Sequence, residues 1–189
     1  LNQSRDLHNQ LSEEFHLEKP AARRTLWITD TFADLNGVAV TMQEISNTAR
    51  AEGLPLLIVG CPTNAEKDLA ITRHILRLPC VYEFTPEFYN AYTARLPAIL
   101  KSIDMIAKAR PDKIVISTPG PVGLVGLAAA RLLGIPCEAV YHTDFAMQAK
   151  EVTGDAQVVD IVSRYINWFY QRVDKILVPS RHYMMQLAD

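Results

Sequence analysis

The sharpest group of chemistry-bearing side chains is His142-Thr143-Asp144, which follows directly on the apolar run Glu138-Ala139-Val140-Tyr141. A polar triplet leaving an apolar strand suits proton handling or the binding of sugar hydroxyls, since an imidazole titrates near neutrality and the other two groups pair with OH. The triplet has a plain structural use as well: Asp144 can cap a short helix after it, leaving His142 a satisfied histidine. His142 and Asp144 are both metal-ligating types, but no further His or Cys cluster supports a site, so no metal is expected. His8, His16, His74 and His182 are isolated and read as surface or edge residues. A second candidate is Asn36-Gly37, just before an amphipathic stretch. A helix start offers unpaired amides and a partial positive charge, and glycine lets a phosphate approach the backbone. Asn36 capping a helix after a simple turn is the alternative. The loop Asp30 to Gly37 is longer than a strand-to-helix connection requires, which favours function.

Two common phosphate signatures are missing. No GxGxxG follows the first apolar run, and the second ends Gly60-Cys61-Pro62-Thr63 with no acid for a ribose hydroxyl. GxxxxGK[ST] is absent, which excludes a P-loop ATPase. Gly120, Gly123 and Gly126 recur at intervals of three and loosely imitate a fingerprint. The preferred reading is close packing of a helix on a sheet, with Pro121 in its first turn. Cys61, Cys80 and Cys137 form no CxxC pair and sit in or beside apolar runs. They read as buried free thiols in a reducing compartment.

The elements that must hold these residues alternate short apolar runs with amphipathic stretches, the pattern of a parallel sheet with helices on its faces. Strands are expected at Thr25 to Thr29, Leu56 to Gly60, His74 to Leu78, Lys113 to Ser117, Glu138 to Tyr141 and Lys175 to Val178. Helices are expected at about Val38 to Ala51, Leu96 to Arg110, Pro121 to Leu133 and Val158 to Val173. Right-handed crossovers then give an α/β, doubly wound, mostly parallel Rossmann-like sheet with the first strand near its centre. Three polar segments fall at carboxyl ends of strands, where such sheets bind ligands: Asp30 to Gly37, Thr118 to Gly126 and Tyr141 to Phe145. The five aromatics between Tyr82 and Tyr92 read as a cap over the sheet edge, with stacking on a sugar or lipid acceptor as the alternative. Tyr165, Trp168 and Phe169 read as helix core.

With 189 residues, 49% of them hydrophobic and 21% charged, the chain has the make-up of one globular domain, not of a disordered or coiled-coil segment. A net charge of −2 supplies no bulk field to recruit nucleic acid. No apolar run approaches the roughly 20 residues of a membrane span, and no secretory leader pattern is present, so a cytoplasmic location is expected. Leu1 to Arg24 is polar and reads as a linker or extension, and both ends read as cut.

Four motifs in order resemble glycosyltransferase family 4, the retaining transferases of GT-B architecture, and its mannosyl- and glucosyltransferase-like members in particular. They are Ile28-Thr29-Asp30-Thr31-Phe32 with Asn36-Gly37-Val38; Pro111 to Val115 leading to Thr118 through Gly123; Tyr141 through Phe145; and Val178-Pro179-Ser180. The resemblance runs from about Thr25 to the end. It implies that residues 25–189 are the Rossmann-like, acceptor-side half of a two-domain enzyme. Such an enzyme moves a sugar from a nucleotide-sugar donor to a sugar or lipid acceptor without a bound metal. On that resemblance Gly37, with Asn36, faces the donor phosphates and sugar, and His142 contacts the donor sugar and reacting centre. Asp30, Gly120, Thr143 and Asp144 bind acceptor or organise the loops. Ala146 stands where many relatives have Pro. The donor-binding carboxyl-terminal domain is missing, so this chain alone is expected to be inactive. A lipid acceptor would bring peripheral membrane attachment of the full-length enzyme. The competing readings are a stand-alone Rossmann-like module for a nucleotide or metabolite, and a partner subunit completed by another polypeptide.

Overall fold

The computed structural model of the chain describes residues 24–32, 37–63, 75–85 and 93–186. The apolar runs become β1 (Thr25–Ile28), β2 (Leu56–Gly60), β3 (Leu76–Arg77), β6 (Lys113–Ile116), β7 (Cys137–Val140) and β8 (Lys175–Leu177). They form one sheet in the order β3-β2-β1-β6-β7-β8, and every pairing in it is parallel. β1 lies between β2 and β6, and the sheet grows outward from it in both directions, so the chain is doubly wound as expected.

Alternation along each strand sends side chains to two faces. From β1, Leu26 and Ile28 enter a large core with Ile106, Ile114, Ile116, Val122 and Phe169. Trp27 packs instead against the smaller core of Phe32, Met42, Ile58 and Ile75 on the other face. Burial on both faces is why these strands read as unbroken apolar runs. α1 (Gly37–Ala51) covers the smaller core through Met42. α2 (Ile99–Lys108), α3 (Pro121–Leu133) and α5 (Ala156–Tyr170) bury Ile106, Val122 and Phe169 in the larger one. Two shorter helices, α4 (Phe145–Thr153) and α6 (Arg181–Gln186), follow β7 and β8. The close-packing reading of Gly123 and Gly126 holds. A Cβ at Gly126 would lie 2.4 Å from Ile28 Cδ1, and one at Gly123 would lie 2.0 Å from the Thr118 carbonyl oxygen.

The largest difference from expectation lies between Cys80 and Ile99. Cys80–Phe84 (β4) and Ala94–Pro97 (β5) pair antiparallel as a separate two-stranded sheet, so the helix expected from Leu96 begins at Ile99. Pro97 accounts for the shift: its ring disfavours the helical region for the residue before it, and Leu96 pairs with Tyr82 instead. Nor do the described aromatics bury themselves as an edge cap, since Tyr82 is 60% and Phe84 45% exposed. Their rings stack on each other, with centroids 6.2 Å apart. Phe88, Tyr89 and Tyr92 lie outside the described residues, as does His74; of the strand expected at His74 to Leu78, Leu76 and Arg77 pair with β2, and Ile75 and Leu78 flank β3. α5 starts two residues before the expected Val158, because Asp155 caps it by accepting from the Gln157 amide at 2.8 Å.

Candidate functional site

β1, β6 and β7 are adjacent and run in one direction, so the segments after them emerge along one carboxyl edge. Asp30, two residues beyond β1, reaches across this edge and fills the start of α3. Its Oδ1 accepts from the Val122 amide at 2.7 Å. Its Oδ2 accepts from the Thr118 hydroxyl at 2.8 Å and from the amides of Gly120 at 3.1 Å and Gly123 at 3.2 Å. The Asp30 amide donates back to Thr118 Oγ1 at 2.8 Å. A helix start carries unpaired amides and a partial positive charge, and here an internal carboxylate satisfies them.

Asp30 is only 5% exposed, and burial pushes its pKa up to about 6 against the pull of the donors from Val122, Thr118, Gly123 and Gly120. Gly120 is glycine because the carboxylate lies where a side chain would start: a Cβ there would sit 2.5 Å from Asp30 Cγ. Asp30 is therefore committed to holding two loops together. Its oxygens are spent on those bonds.

Two side chains that were not among the expected site residues complete this corner. Arg95 on β5 is buried and donates from Nη1 to the Asp30 carbonyl at 3.1 Å, tying the hairpin to the β1 loop. It carried no sequence signal, because its segment read as the approach to a helix. Tyr165 on α5 donates from its hydroxyl to the Pro119 carbonyl. Burial and then the Asp30 charge push its pKa up to about 12. Its helical spacing marked it as core, and only the pairing shows that its polar tip steadies the loop before α3.

His142 lies two residues beyond β7 and is half-buried. Its Nε2 is sealed from solvent and meets no hydrogen-bond partner in the structure. Burial lowers its pKa, so the ring is neutral at pH 7 and offers both a donor and an acceptor. The Thr31 hydroxyl oxygen, one residue past Asp30, is likewise buried and unpartnered. Buried polar atoms without partners are uncommon in folded proteins, and two of them fall on one edge of this sheet. Asp144 caps α4, its Oδ1 accepting from the Met147 amide at 2.9 Å, and Thr143 between them is half-buried.

Gly37 is the first residue of α1, whose first turn holds no acidic residue. A Cβ there would meet nothing within 4 Å, so packing does not demand glycine at this position. Asn36 lies outside the described residues. Of the expected site residues, the structure joins Asp30 and Gly120 directly and sets His142, Thr143 and Asp144 on the neighbouring strand end. Among the described residues no group of three or more His, Cys, Asp or Glu is arranged to hold a metal ion. None of the described helices is long and apolar enough to cross a membrane.

A parallel sheet wound both ways from its central strand, with polar loops along its carboxyl edge, is a Rossmann-like α/β domain and is consistent with one half of a GT-B architecture. The family model for Glycosyltransferase Family 4 matches residues 35–189, and the chain belongs to that family. It is 33% identical over 161 residues to a GDP-mannose-dependent alpha-mannosyltransferase of Mycolicibacterium smegmatis, a match covering 82% of this chain and 41% of that protein. It is 26% identical over 159 residues to a protein of the same name from Mycobacterium tuberculosis, covering 81% of this chain and 40% of that protein. The chain thus spans about two fifths of the length of these relatives.

Proposed function

We propose that residues 25–189 are the acceptor-side, amino-terminal domain of a retaining glycosyltransferase, preceded by a polar extension over residues 1–24. A second domain in cis supplies the donor-binding pocket, and the sugar passes from a nucleotide-sugar donor to an acceptor hydroxyl without a metal. The names of the two mycobacterial relatives make GDP-mannose the first donor to test. The observation that carries this reading is the buried, unpartnered Nε2 of His142 on the edge where the loops after β1, β6 and β7 emerge.

Departure of a nucleoside diphosphate builds negative charge, which preorganised amides and dipoles stabilise without covalent help. Of the three helix starts on this edge, that of α3 already holds the Asp30 carboxylate and that of α4 its own Asp144 cap. The start of α1 at Gly37, free of acids and with open space beside it, is left for the phosphates, with Asn36 beside it. The neutral imidazole of His142 contacts the donor sugar at the reacting centre. Thr143 and Asp144 border the acceptor, while Asp30 and Gly120 keep the loops in register.

The chain by itself has half of this cradle, so it is inactive alone. Calorimetry with GDP and GDP-mannose, paired with product analysis, checks this. The expected result is no micromolar binding and no turnover. Transfer or donor hydrolysis at an enzymatic rate overturns it, and micromolar binding of free nucleotide replaces it with a stand-alone nucleotide module. In a longer polypeptide that carries the second domain, His142→Ala should slow transfer by about 100-fold or more with the fold intact. Unchanged turnover would remove His142 from the site.

A further inference from the structure

We infer that residues 1–23 fold back on the sheet and lay Leu7, Leu11 and Phe15 into the groove near its amino edge, against Trp27, Val115 and Leu177. The register puts these groove residues on one face. Trp27 pairs with Val115, Val115 with Glu138, and Glu138 with Lys175, so all four side chains leave the sheet on the same side. Leu177, two residues past Lys175, joins them. On this face α1 covers the β1–β2 side through Val38 and Met42, while α2, α3 and α5 serve the larger core on the other face. Val115 and Leu177 belong to neither core. They line a groove of about 310 Å³ with Trp27, the exposed Leu54 and the Lys113–Glu138 ion pair, whose Nζ and Oε2 lie 3.3 Å apart. That volume is at the lower limit for small-molecule pockets and suits a few apolar side chains.

Connectivity, pattern and charge select this occupant. Arg24 is fixed at the amino edge of the sheet, its amide donating to Asp112 Oδ2 at 3.0 Å and its carbonyl accepting from the Asp112 amide at 2.8 Å. The next residue, Thr25, lines the groove itself, so residues 1–23 lead into its rim. The eight residues between Phe15 and Arg24 reach roughly 26 Å when extended, several times the ~4.8 Å between neighbouring strands. Leu7, Leu11 and Phe15 are four apart, which puts them in one stripe of a helix within an otherwise polar segment. Residues 1–18 carry Asp6, Glu13, Glu14 and Glu18 against Arg5. The face they would meet offers Lys113 and Lys175 against Glu138, so a negative segment approaches a positive surface.

The test replaces Phe15 in the 189-residue chain by the photocrosslinker benzoylphenylalanine, irradiates the dilute protein, and maps the adducts by mass spectrometry. The expected adducts lie within one chain and join position 15 to peptides bearing Trp27, Leu54 to Leu56, Val115 or Leu177. A second measurement uses Trp168→Phe, which leaves Trp27 as the only tryptophan. In that background Leu11→Asp together with Phe15→Asp should shift the Trp27 emission to the red and raise its quenching by acrylamide. Both positions lie outside the sheet and its two cores, so the domain keeps its fold. Adducts to another face of the domain, no adduct at all, or a Trp27 signal unmoved by the two aspartates would each overturn the inference. Adducts between two chains would overturn it as well, and give the groove to a second copy. None of these outcomes bears on the transferase reading, which concerns the opposite, carboxyl edge.

Discussion

Asp30→Asn removes a charge without removing the shape of the side chain, and it tests how a buried carboxylate holds the carboxyl edge. Burial raises the Asp30 pKa from an ordinary 3.8 to about 6. Between those values the folded chain keeps a proton that the unfolded chain has already released. The folded state then binds more protons than the unfolded one, so unfolding free energy falls as pH rises through this window and levels off above the folded pKa. Two pKa units correspond to about 3 kcal/mol in full, and about 2 kcal/mol of that lies between roughly pH 4.5 and pH 7.5. Asn cannot ionise, so it lacks this dependence. At the acidic end the variant should be less stable than the unmutated chain by about 1–3 kcal/mol. The reason is that its amide nitrogen faces at least one of the amides of Val122, Gly120 and Gly123 that now donate to oxygen.

Urea unfolding of both chains at the two pH values isolates the effect, since every other titrating group cancels in the difference. The gap between the chains should narrow by about 2 kcal/mol on going to the higher pH, which is roughly a 1 M change in the difference of urea midpoints. A constant gap would mean that the four donors cancel burial and leave the carboxyl at its ordinary value, and a gap that widens with pH would mean that they hold it below that value. The account of Asp30 as a carboxylate ionised against its burial would then be wrong.

The remaining predictions concern the same edge. Gly120→Ala puts a Cβ about where Asp30 Cγ lies, 2.5 Å away by the present backbone, and should cost about 2 kcal/mol, read as a melting point lower by roughly 4–8 °C. The penalty should shrink in an Asp30→Ala background, and a full penalty there would show that some other neighbour sets it. Asp144→Ala removes the acceptor for the Met147 amide and should destabilise the chain by about 1 kcal/mol in urea; no change would mean that the cap contributes nothing in solution. His142 should titrate by NMR below its ordinary value of 6.5, because burial disfavours the cation. The unfolded ring takes a proton first, so this histidine's contribution to stability is present above the unfolded pKa and lost as pH falls below it. A midpoint at or above 6.5 would show the imidazole solvated or paired with an acid.

How much of this was legible beforehand follows from the range of the forces involved. The six parallel strands, the capping of α4 by Asp144, Pro121 in the first turn of α3 and the packing use of Gly123 and Gly126 all rest on period, local sterics and short-range hydrogen bonds. Those are properties of neighbouring residues, so composition and spacing carry them. The four family motifs were legible for a similar reason, as each is a short loop tied to one strand end. Helix starts were less secure: the hairpin partner of Leu96 and the cap at Asp155 moved two of them.

What the chain order alone determined, then, was which segments face the carboxyl edge. What each polar group does there was decided only by the fold. Asp30 and Val122 are 92 positions apart, and their bond at 2.7 Å depends on β1 and β6 lying side by side. The contacts of Arg95 and Tyr165 and the orphaned Nε2 of His142 have the same origin. Burial and pairing are sums over contacts between distant segments, and no local pattern encodes such a sum.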